Sequence, residues 1–382
     1  MHSNLDRATA VYAAMQANLY VSDGTSLYRE TAPPSGPTYA YLWPFSRALV
    51  GTLALAGTPG GDRYVADVRD RMSGLERYWD RLTWTPAYAS SVPGFFGGGG
   101  DKYYDDNAWV SLALIQHHRM GFGTSLRRAE QLWKFAQKGW DTDRRARILG
   151  GVFWVQQRTG AGLTNHDRGT GATAGYAELG FHLHELSGSD AYDGDGEPEA
   201  RPRSLGALNM VNWVARHVDR SQTGEGPFWN VARPDGGIDR NLWSYNQGVM
   251  LGARVLQYRL THDPAFLGLA ESIARQTLAT FGEFTSHPPS FNAMCFQNML
   301  MLCAESSDTD LTSAMHARMA AYADWAWEPA TGARDPATNL FYFTDAGHPA
   351  SSRQPARLQD QGAMVQLYAL LEWSPADYRK LT

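Results

Sequence analysis

Apolar residues recur at helical spacing along almost the whole 382-residue chain, whereas runs in which β-branched residues alternate with polar ones are scarce. This pattern predicts an all-α protein, because a helix buries one face at a period of 3.6 residues and a strand buries every second residue. About twelve helices are expected from these periods. They cover residues 3–20, 39–56, 62–83, 104–121, 125–141, 171–188, 204–219, 243–261, 264–283, 290–304, 311–327 and 356–373.

The predicted helices are joined by two kinds of loop. Most are short, but five are long, and nearly all of the long ones precede an even-numbered helix. In an up-and-down array of helix pairs the even helices run one way and the odd helices the other, so the long loops gather at one end. A closed ring of six inner and six outer helices, an (α/α)6 barrel, fits this pattern. The long loops cover residues 21–38, 84–103, 142–170, 220–242 and 328–355.

Composition agrees with one large globular unit. No stretch has the character of a linker, so we predict a single domain over residues 1–382, although this length equals two or three average domains. Hydrophobic residues make up 43% of the chain and charged residues 19%, which provides a large core and argues against disorder. Many of the 13 Trp and 18 Tyr fill that core, but such rings also pack against the C–H faces of sugars.

Charge and hydropathy exclude several classes of partner. The net charge is −5, and the only basic cluster lies at residues 144–147, so neither nucleic acid nor an anionic membrane is an expected partner. No stretch of 18 apolar residues occurs, and we expect no membrane insertion. A monomer is expected.

The termini and cysteines bear on the compartment. Residues 1–7 are polar and lack the apolar segment and cleavage site of a signal peptide. This predicts a cytoplasmic protein if the chain is complete, and a secreted or periplasmic one if a signal has been removed. Cys295 and Cys303 are eight residues apart on one predicted helix, about 12 Å at 1.5 Å per residue. That separation is too large for a disulfide, so both are predicted to be reduced core residues.

The most distinctive motif is Tyr-Asp-Asp-Asn-Ala-Trp at residues 104–109, which follows a run of four glycines at residues 97–100. Asp105 and Asp106 lie at the predicted start of an inner helix, where glycines admit a substrate and the helix N-terminus favours a carboxylate. Paired carboxylates beside aromatic rings are the groups that cleave glycosidic bonds, one as an acid and the other as an anion. Adjacent residues suit the roughly 5–5.5 Å separation of a retaining glycosidase better than the wider gap of an inverting one.

The same two aspartates have a structural interpretation. An acidic residue at a helix start commonly caps the helix or offsets its dipole, without any chemistry. Moreover, adjacent side chains diverge on a regular helix, so both can reach one substrate only near the helix end, beneath a cleft.

Other candidate binding residues open inner helices or lie in long loops. Aromatic rings could stack on sugars, and amide or carboxylate groups could bind hydroxyls, although each could equally be a helix cap or a packed loop residue. The predicted substrate-binding residues are Trp43, Tyr104, Asn107, Trp109, Trp154, Asn165, Asp167, Tyr245, Asn246 and Gln247.

No metal or other cofactor is predicted. His182 and His184 are two residues apart and therefore point to different faces of a helix, which does not suit a shared metal. The acidic turn around Asp193 and Asp195 lacks the full ligand spacing of a calcium loop. Phosphate-binding loops and nucleophile elbows are also missing.

Three segments resemble glycoside hydrolase family 76, whose members are endo-acting α-1,6-mannanases with an (α/α)6 barrel. Residues 99–113 resemble its catalytic segment, residues 150–154 its Gly-Gly-aromatic-Trp stretch, and residues 244–248 its Tyr-Asn-Gln-Gly segment. They occur in family order across residues 97–262. The chain departs from the family at Phe153, where a second Trp is usual, and at residues 290–300, which lack a Lys-Gly pair.

The resemblance implies a function and roles for the pair. Asp105 would be the nucleophile of a retaining mechanism, and Asp106 the general acid and then the base. The substrate would be an oligo- or polysaccharide containing α-1,6-linked mannose, and no cofactor would be required.

Two other functions remain open from the residues alone. A sugar epimerase or isomerase on the same barrel would use histidines for proton transfer, and His166 is a candidate base without an evident partner. A non-catalytic glycan-binding barrel would keep the aromatic residues without needing either aspartate.

Overall fold

The computed structural model describes residues 3–83, 85–94, 98–156, 166–198 and 200–382, and this part of the chain contains twelve α-helices in the predicted order. Their ends differ from the predictions by a few residues, except that the third helix ends well before residue 83 because Trp79 and Asp80 form a short strand. The helices are α1 Asn4–Leu19, α2 Leu42–Ala56, α3 Val65–Glu76, α4 Tyr104–Arg119, α5 Leu126–Lys138, α6 Thr170–Ser187, α7 Ala207–His217, α8 Ser244–Thr261, α9 Pro264–Phe281, α10 Pro289–Cys303, α11 Thr309–Trp327 and α12 Leu358–Leu370.

The even-numbered helices form the inner ring of the barrel. Each packs against the next, and α12 packs against α2 and closes the ring, while the odd-numbered helices cover its outside. The all-α (α/α)6 barrel is therefore confirmed. Inner helices are buried on nearly every face, as in α2, where every residue except Trp43 is buried. The contact that closes the ring requires two glycines, because a Cβ atom on Gly51 would lie 2.5 Å from the carbonyl oxygen of Gly362.

The long loops contain short antiparallel strands that the sequence did not predict. A strand of two to five residues is too short to show a period-two pattern, and these strands are fixed by loop-to-loop pairing. One of them, Arg168–Gly169, pairs with Trp229–Ala232, which in turn pairs with Ile238–Leu242, so that two long loops are joined into one sheet. The other pairs are Thr31–Ala32 with Ala356–Arg357 and Trp79–Asp80 with Ala87–Tyr88.

Two predictions about the helices can be checked directly. No helix in the described part of the chain is both long enough and apolar enough to cross a membrane. Cys295 and Cys303 both lie on α10 and are free, as predicted. Burial raises the pKa of the Cys303 thiol to about 12 and also raises that of Cys295, so both stay protonated.

Candidate active site

A pocket of about 290 Å³ opens at the end of the barrel where the long loops gather. Its walls come from the first turns of four inner helices, α2, α4, α8 and α10, and from the loop before α6. Asp105 and Asp106 are the carboxylates in this pocket. The rest of the lining is aromatic and consists of Trp43, Tyr103, Trp109, Trp154, Tyr245 and Phe291.

Asp105 and Asp106 occupy the first turn of α4 but do not cap it. The N-cap residue is Tyr103, whose backbone is extended and whose side chain makes no capping bond. Asp105 does accept a hydrogen bond from the backbone N–H of Asp106, at 2.9 Å, and so satisfies one of the free donors of the first turn. One oxygen of Asp105 therefore stabilises the helix start, as acidic residues in this position commonly do. Both aspartate side chains also line the pocket.

The second oxygen of Asp105 is bound by a tryptophan from another loop. Trp154 donates its indole N–H to Asp105 Oδ2 at 3.1 Å, and the Trp154 carbonyl accepts from the backbone N–H of Tyr104 at 2.8 Å. The Trp154 ring packs against Tyr103, with 5.2 Å between ring centres, and 39% of the residue stays exposed. These contacts fix Trp154 beside the carboxylate and leave ring surface open to a ligand.

The two aspartates differ in their electrostatic surroundings. Burial raises the pKa of Asp105 to about 6, although its hydrogen bonds from Asp106 and Trp154 oppose that shift. Burial also raises the pKa of Asp106 well above its usual value, and the negative charge of Asp105 raises it further, while Arg47 opposes both effects. Of the two carboxyl groups, Asp105 is therefore the one that ionises more readily, and Asp106 the one that holds a proton more tightly.

A second cavity of about 290 Å³ adjoins the first and shares Asp105, Trp154 and Tyr245 with it. Its other walls are more polar and include Asp167 and Asn230. Asn230 is held in place, because its Oδ1 accepts from the Tyr245 hydroxyl at 3.2 Å and from Asn246 Nδ2 at 3.3 Å. Asp105 thus lies between an aromatic cavity and a polar one.

Three of the predicted binding residues make structural contacts and line neither cavity. Tyr104 is buried and stacks on Phe135, with 4.3 Å between ring centres. The side-chain amide of Asn107 accepts from the backbone N–H of Tyr88 and donates to its carbonyl, both at 2.9 Å. Gln247 makes the same paired contact with the backbone of Phe228, at 2.7 and 2.9 Å.

Most of the remaining predicted binding residues do line the cavities. Trp43, Trp109, Trp154, Tyr245 and Asp167 line one or both cavities. Asn246 is buried behind Asn230 rather than exposed to a ligand. Asn165 lies outside the described residues.

The sequence did not point to several of the lining residues, among them Tyr103, Phe291 and Asn230. Tyr103 adjoins the aspartate motif but was not selected as a binding residue, and Phe291 lies in a segment that departs from the family pattern. Asn230 comes from a strand within a long loop, and no local signal marks it as facing Asp105.

The histidines singled out earlier do not line either cavity. His166 packs edge-on against Phe153, with 5.8 Å between ring centres. His182 Nδ1 contacts Arg119 at 3.0 Å, and His184 pairs with Asp193 at 2.9 Å. Among the described residues, no group of three or more His, Cys, Asp or Glu side chains is arranged to hold a metal ion.

Solved structures share this architecture. A family 76 glycoside hydrolase (mannosidase) from Bacteroides thetaiotaomicron superposes with a TM-score of 0.78 at 19% identity, covering 97% of this chain and 98% of that one. The GH76A α-1,6-mannanase of Salegentibacter sp. HEL1_6 gives a TM-score of 0.71 at 15% identity, covering 97% and 99%. An inactive variant of that enzyme, with two consecutive aspartates replaced by asparagine, was solved in complex with α-1,6-mannotriose and gives a TM-score of 0.72 at 15% identity, with the same coverage.

At these identities the structural likeness establishes the fold, and the family follows from the sequence. Comparison with curated protein sequences finds no match. The model of glycosyl hydrolase family 76, however, matches residues 3–324, which include the whole of the pocket. The chain therefore belongs to glycosyl hydrolase family 76.

Proposed function

We propose that this protein is a retaining endo-α-1,6-mannanase in which Asp105 is the nucleophile and Asp106 the acid and base. The observation that carries the proposal is the arrangement of the two aspartates. They lie side by side in one aromatic pocket, with surroundings that favour ionisation of Asp105 and retention of a proton by Asp106. This division of charge is what the first step of glycoside hydrolysis with retention requires.

In the first step, the Asp105 carboxylate bonds to the anomeric carbon of the mannose as the glycosidic C–O bond breaks. Asp106 gives its proton to the departing oxygen, so that the second sugar leaves as an alcohol. The indole N–H of Trp154 and the backbone N–H of Asp106 each donate a hydrogen bond to one oxygen of Asp105. These bonds position the carboxylate while it loses its negative charge to the new bond. The product is a mannosyl ester on Asp105.

In the second step, water attacks the anomeric carbon and Asp106, now a carboxylate, takes its proton. The bond from the anomeric carbon to Asp105 breaks, and its electron pair returns to the carboxylate. Two inversions at the same carbon restore the original α configuration. Neither step needs a metal or an organic cofactor in this scheme.

The shape of the site supports a polymer as substrate. Because the aromatic and polar cavities meet at Asp105, a chain can place one sugar on each side of the bond to be cleaved. Trp43, Trp109 and Phe291 offer ring faces for the C–H surface of one unit, and Asp167 offers a carboxylate to the hydroxyls of another. We propose the α-1,6 linkage because the Salegentibacter relative was solved in complex with α-1,6-mannotriose. We propose that a monomer suffices, since one chain supplies both cavities.

The pH dependence of kcat/KM follows from the two aspartates. Activity requires Asp105 to be ionised, so kcat/KM should fall as the pH drops through about 6. Activity also requires a proton on Asp106, whose pKa is well above its usual value, so a second decline is expected on the alkaline side. Initial rates on a soluble mannan between about pH 4 and pH 10 measure both limbs. A rate that keeps rising below pH 5 would contradict the assignment of Asp105.

Digestion of linear α-1,6-mannan tests the proposed substrate. We expect oligosaccharides of intermediate length to appear first, as chromatography by size would show, because an endo enzyme cuts within the chain. Linear α-1,6-glucan is the matched control for the sugar, and α-1,2-linked mannan is the control for the linkage. Release of mannose alone would show exo action, and no release by the folded protein would reject the proposed substrate.

The pocket gives less support to the two other functions. The epimerase considered from the sequence would use a histidine for proton transfer, whereas His166 packs against Phe153 outside both cavities. A binding protein has no need for two adjacent aspartates with unlike protonation states.

A further inference from the structure

Arg47 is a buried cation without a partner carboxylate in contact. It lies on α2 with 2% of its surface exposed. Within the described residues its one side-chain hydrogen bond runs from Nε to Ser46 Oγ at 3.3 Å, and it forms no ion pair. Removing an arginine from water is costly unless a negative charge compensates it, so buried arginines without a nearby anion are uncommon.

The surroundings of Arg47 place it directly behind the wall of the pocket. Its guanidinium lies under the ring of Trp43, 4.6 Å from the ring centre, and the Trp43 ring lines the pocket. Arg47 also lines a small internal cavity of about 20 Å³ together with Trp109, which lines the pocket as well. The other polar residues around this internal cavity are Gln116, Gln297, Asn298, Gln366 and Thr382, the last residue of the chain.

The charged and titratable groups around Asp106 can be followed helix by helix. Asp105 adjoins it on α4, and Tyr103 is the N-cap residue of that helix. Tyr176 on α6 and Tyr245 on α8 are close enough to interact electrostatically with the pair. Burial raises the pKa of all three tyrosines, so they stay neutral. Among the described residues this leaves Arg47, on α2, as the positive charge that acts on Asp106.

We propose that Arg47 is a positioning residue that keeps Asp106 ionised during the second step, when Asp106 must act as a base. This inference rests on the proposed function and adds a residue to its mechanism. In the first step the negative charge of Asp105 keeps the proton on Asp106. Once Asp105 is esterified that charge is gone, and burial alone would favour a protonated, inactive Asp106. Burial lowers the pKa of Arg47 to about 9, so Arg47 still carries its charge at neutral pH. That charge then favours the carboxylate form of Asp106.

Replacement of Arg47 separates this role from a structural one. In Arg47→Gln, kcat at pH 7 is expected to fall about tenfold, because the second step slows, while kcat/KM changes little. The alkaline limb of kcat/KM should move up by about one pH unit, since Asp106 then holds its proton more tightly. Arg47→Lys retains the charge and should keep the wild-type limb. A uniform loss of kcat and kcat/KM without a shift of the limb would overturn the proposal.

Arg254→Gln is the matched control. Arg254 is also a buried arginine of an inner helix, 5% exposed, and its guanidinium bonds to Gln257 at 2.7 Å, away from both cavities. Its replacement is expected to lower the melting temperature without moving either limb of the pH profile. A shift of the alkaline limb as large as that of Arg47→Gln would show a general effect of buried charge and contradict the specific role of Arg47.

A direct titration keeps the proposal testable if Arg47→Gln does not fold. The Asp105→Asn protein mimics the neutral ester at that position, and the 13Cγ signal of Asp106 in it reports the ionisation of Asp106 without any turnover. We expect Asp106 to titrate below about pH 7 in this protein, as a working base requires. A titration well above pH 7 would overturn the role of Arg47. This outcome is distinct from failure of the proposed function, which would appear as a wild-type protein without activity on mannan.

Discussion

Asp105→Asn is expected to lower kcat on α-1,6-mannan by about 10⁴-fold or more, because the amide cannot form the mannosyl ester. Asparagine has nearly the same shape, and its carbonyl oxygen can accept the bond that Trp154 donates to Asp105 at 3.1 Å. The fold should therefore be retained, with a melting temperature close to that of the wild type. Initial rates of reducing-end release, together with a thermal denaturation curve, measure both expectations.

Azide provides a positive test of the same assignment. In Asp105→Ala the shortened side chain leaves room for a small anion, which can attack an activated aryl α-mannoside from the nucleophile's face. The expected product is β-mannosyl azide, with inverted configuration. Asp235→Asn is the matched control, since Asp235 is an exposed aspartate that lines neither cavity. An Asp105→Asn protein with wild-type turnover would show that another group is the nucleophile.

Asp106→Asn is expected to lower kcat/KM on mannan by about 10³-fold, because a sugar alcohol leaves poorly without a proton donor. The loss should depend on the leaving group. An aryl mannoside whose phenol is already acidic needs little protonation, so its first step should proceed at close to the wild-type rate. The second step stays slow without a base, and the mannosyl-enzyme should accumulate. A burst of phenol followed by a slow steady rate, seen in a stopped-flow trace, measures this.

The same variant distinguishes the acid and base from the nucleophile. With azide, Asp106→Asn should form α-mannosyl azide, because azide attacks the ester on Asp105 from the opposite face. Formation of the β product by this variant would show that Asp106 is the nucleophile and Asp105 the acid and base. A loss equally large for good and poor leaving groups would show that Asp106 does not donate the proton.

The fold was predictable because it depends on patterns that repeat along the chain. Each inner helix buries nearly all of its faces, and the long loops precede the even-numbered helices, so the ring could be inferred from periodicity and loop length alone. The end of α3 was not predictable, since Trp79 and Asp80 are drawn into a strand with a loop that follows later. That the chain is a single domain stays a prediction.

The site was predictable only in part, because sequence indicates which groups are present and not what they contact. The aspartate pair stood out through its motif, and aromatic residues at the starts of inner helices were good candidates. Asn107 and Gln247 have side chains that can bind sugar hydroxyls, but their amides are hydrogen-bonded to backbone groups of the loops that precede their helices. Gln361 makes the same paired contact with Phe341, so this device recurs on three inner helices.

The residues that the sequence did not reveal come from elements other than the helix of the two aspartates. Asn230 reaches the second cavity from a strand in a long loop, and Phe291 reaches the pocket from α10. Arg47 lies in an apolar stretch of α2, where the sequence shows only a charged residue in a buried helix. Its relation to Asp106 depends on how α2 packs against α4.

Time-resolved proton NMR of wild-type protein acting on α-1,6-mannotetraose is the direct test of a retaining mechanism. The anomeric signal of the first product shows whether the bond is cleaved and with which stereochemistry. With Asp105 as the nucleophile, the α anomer should appear first and the β anomer should grow only through slow mutarotation. Initial release of the β anomer would mean a single displacement by water and would contradict a nucleophilic Asp105.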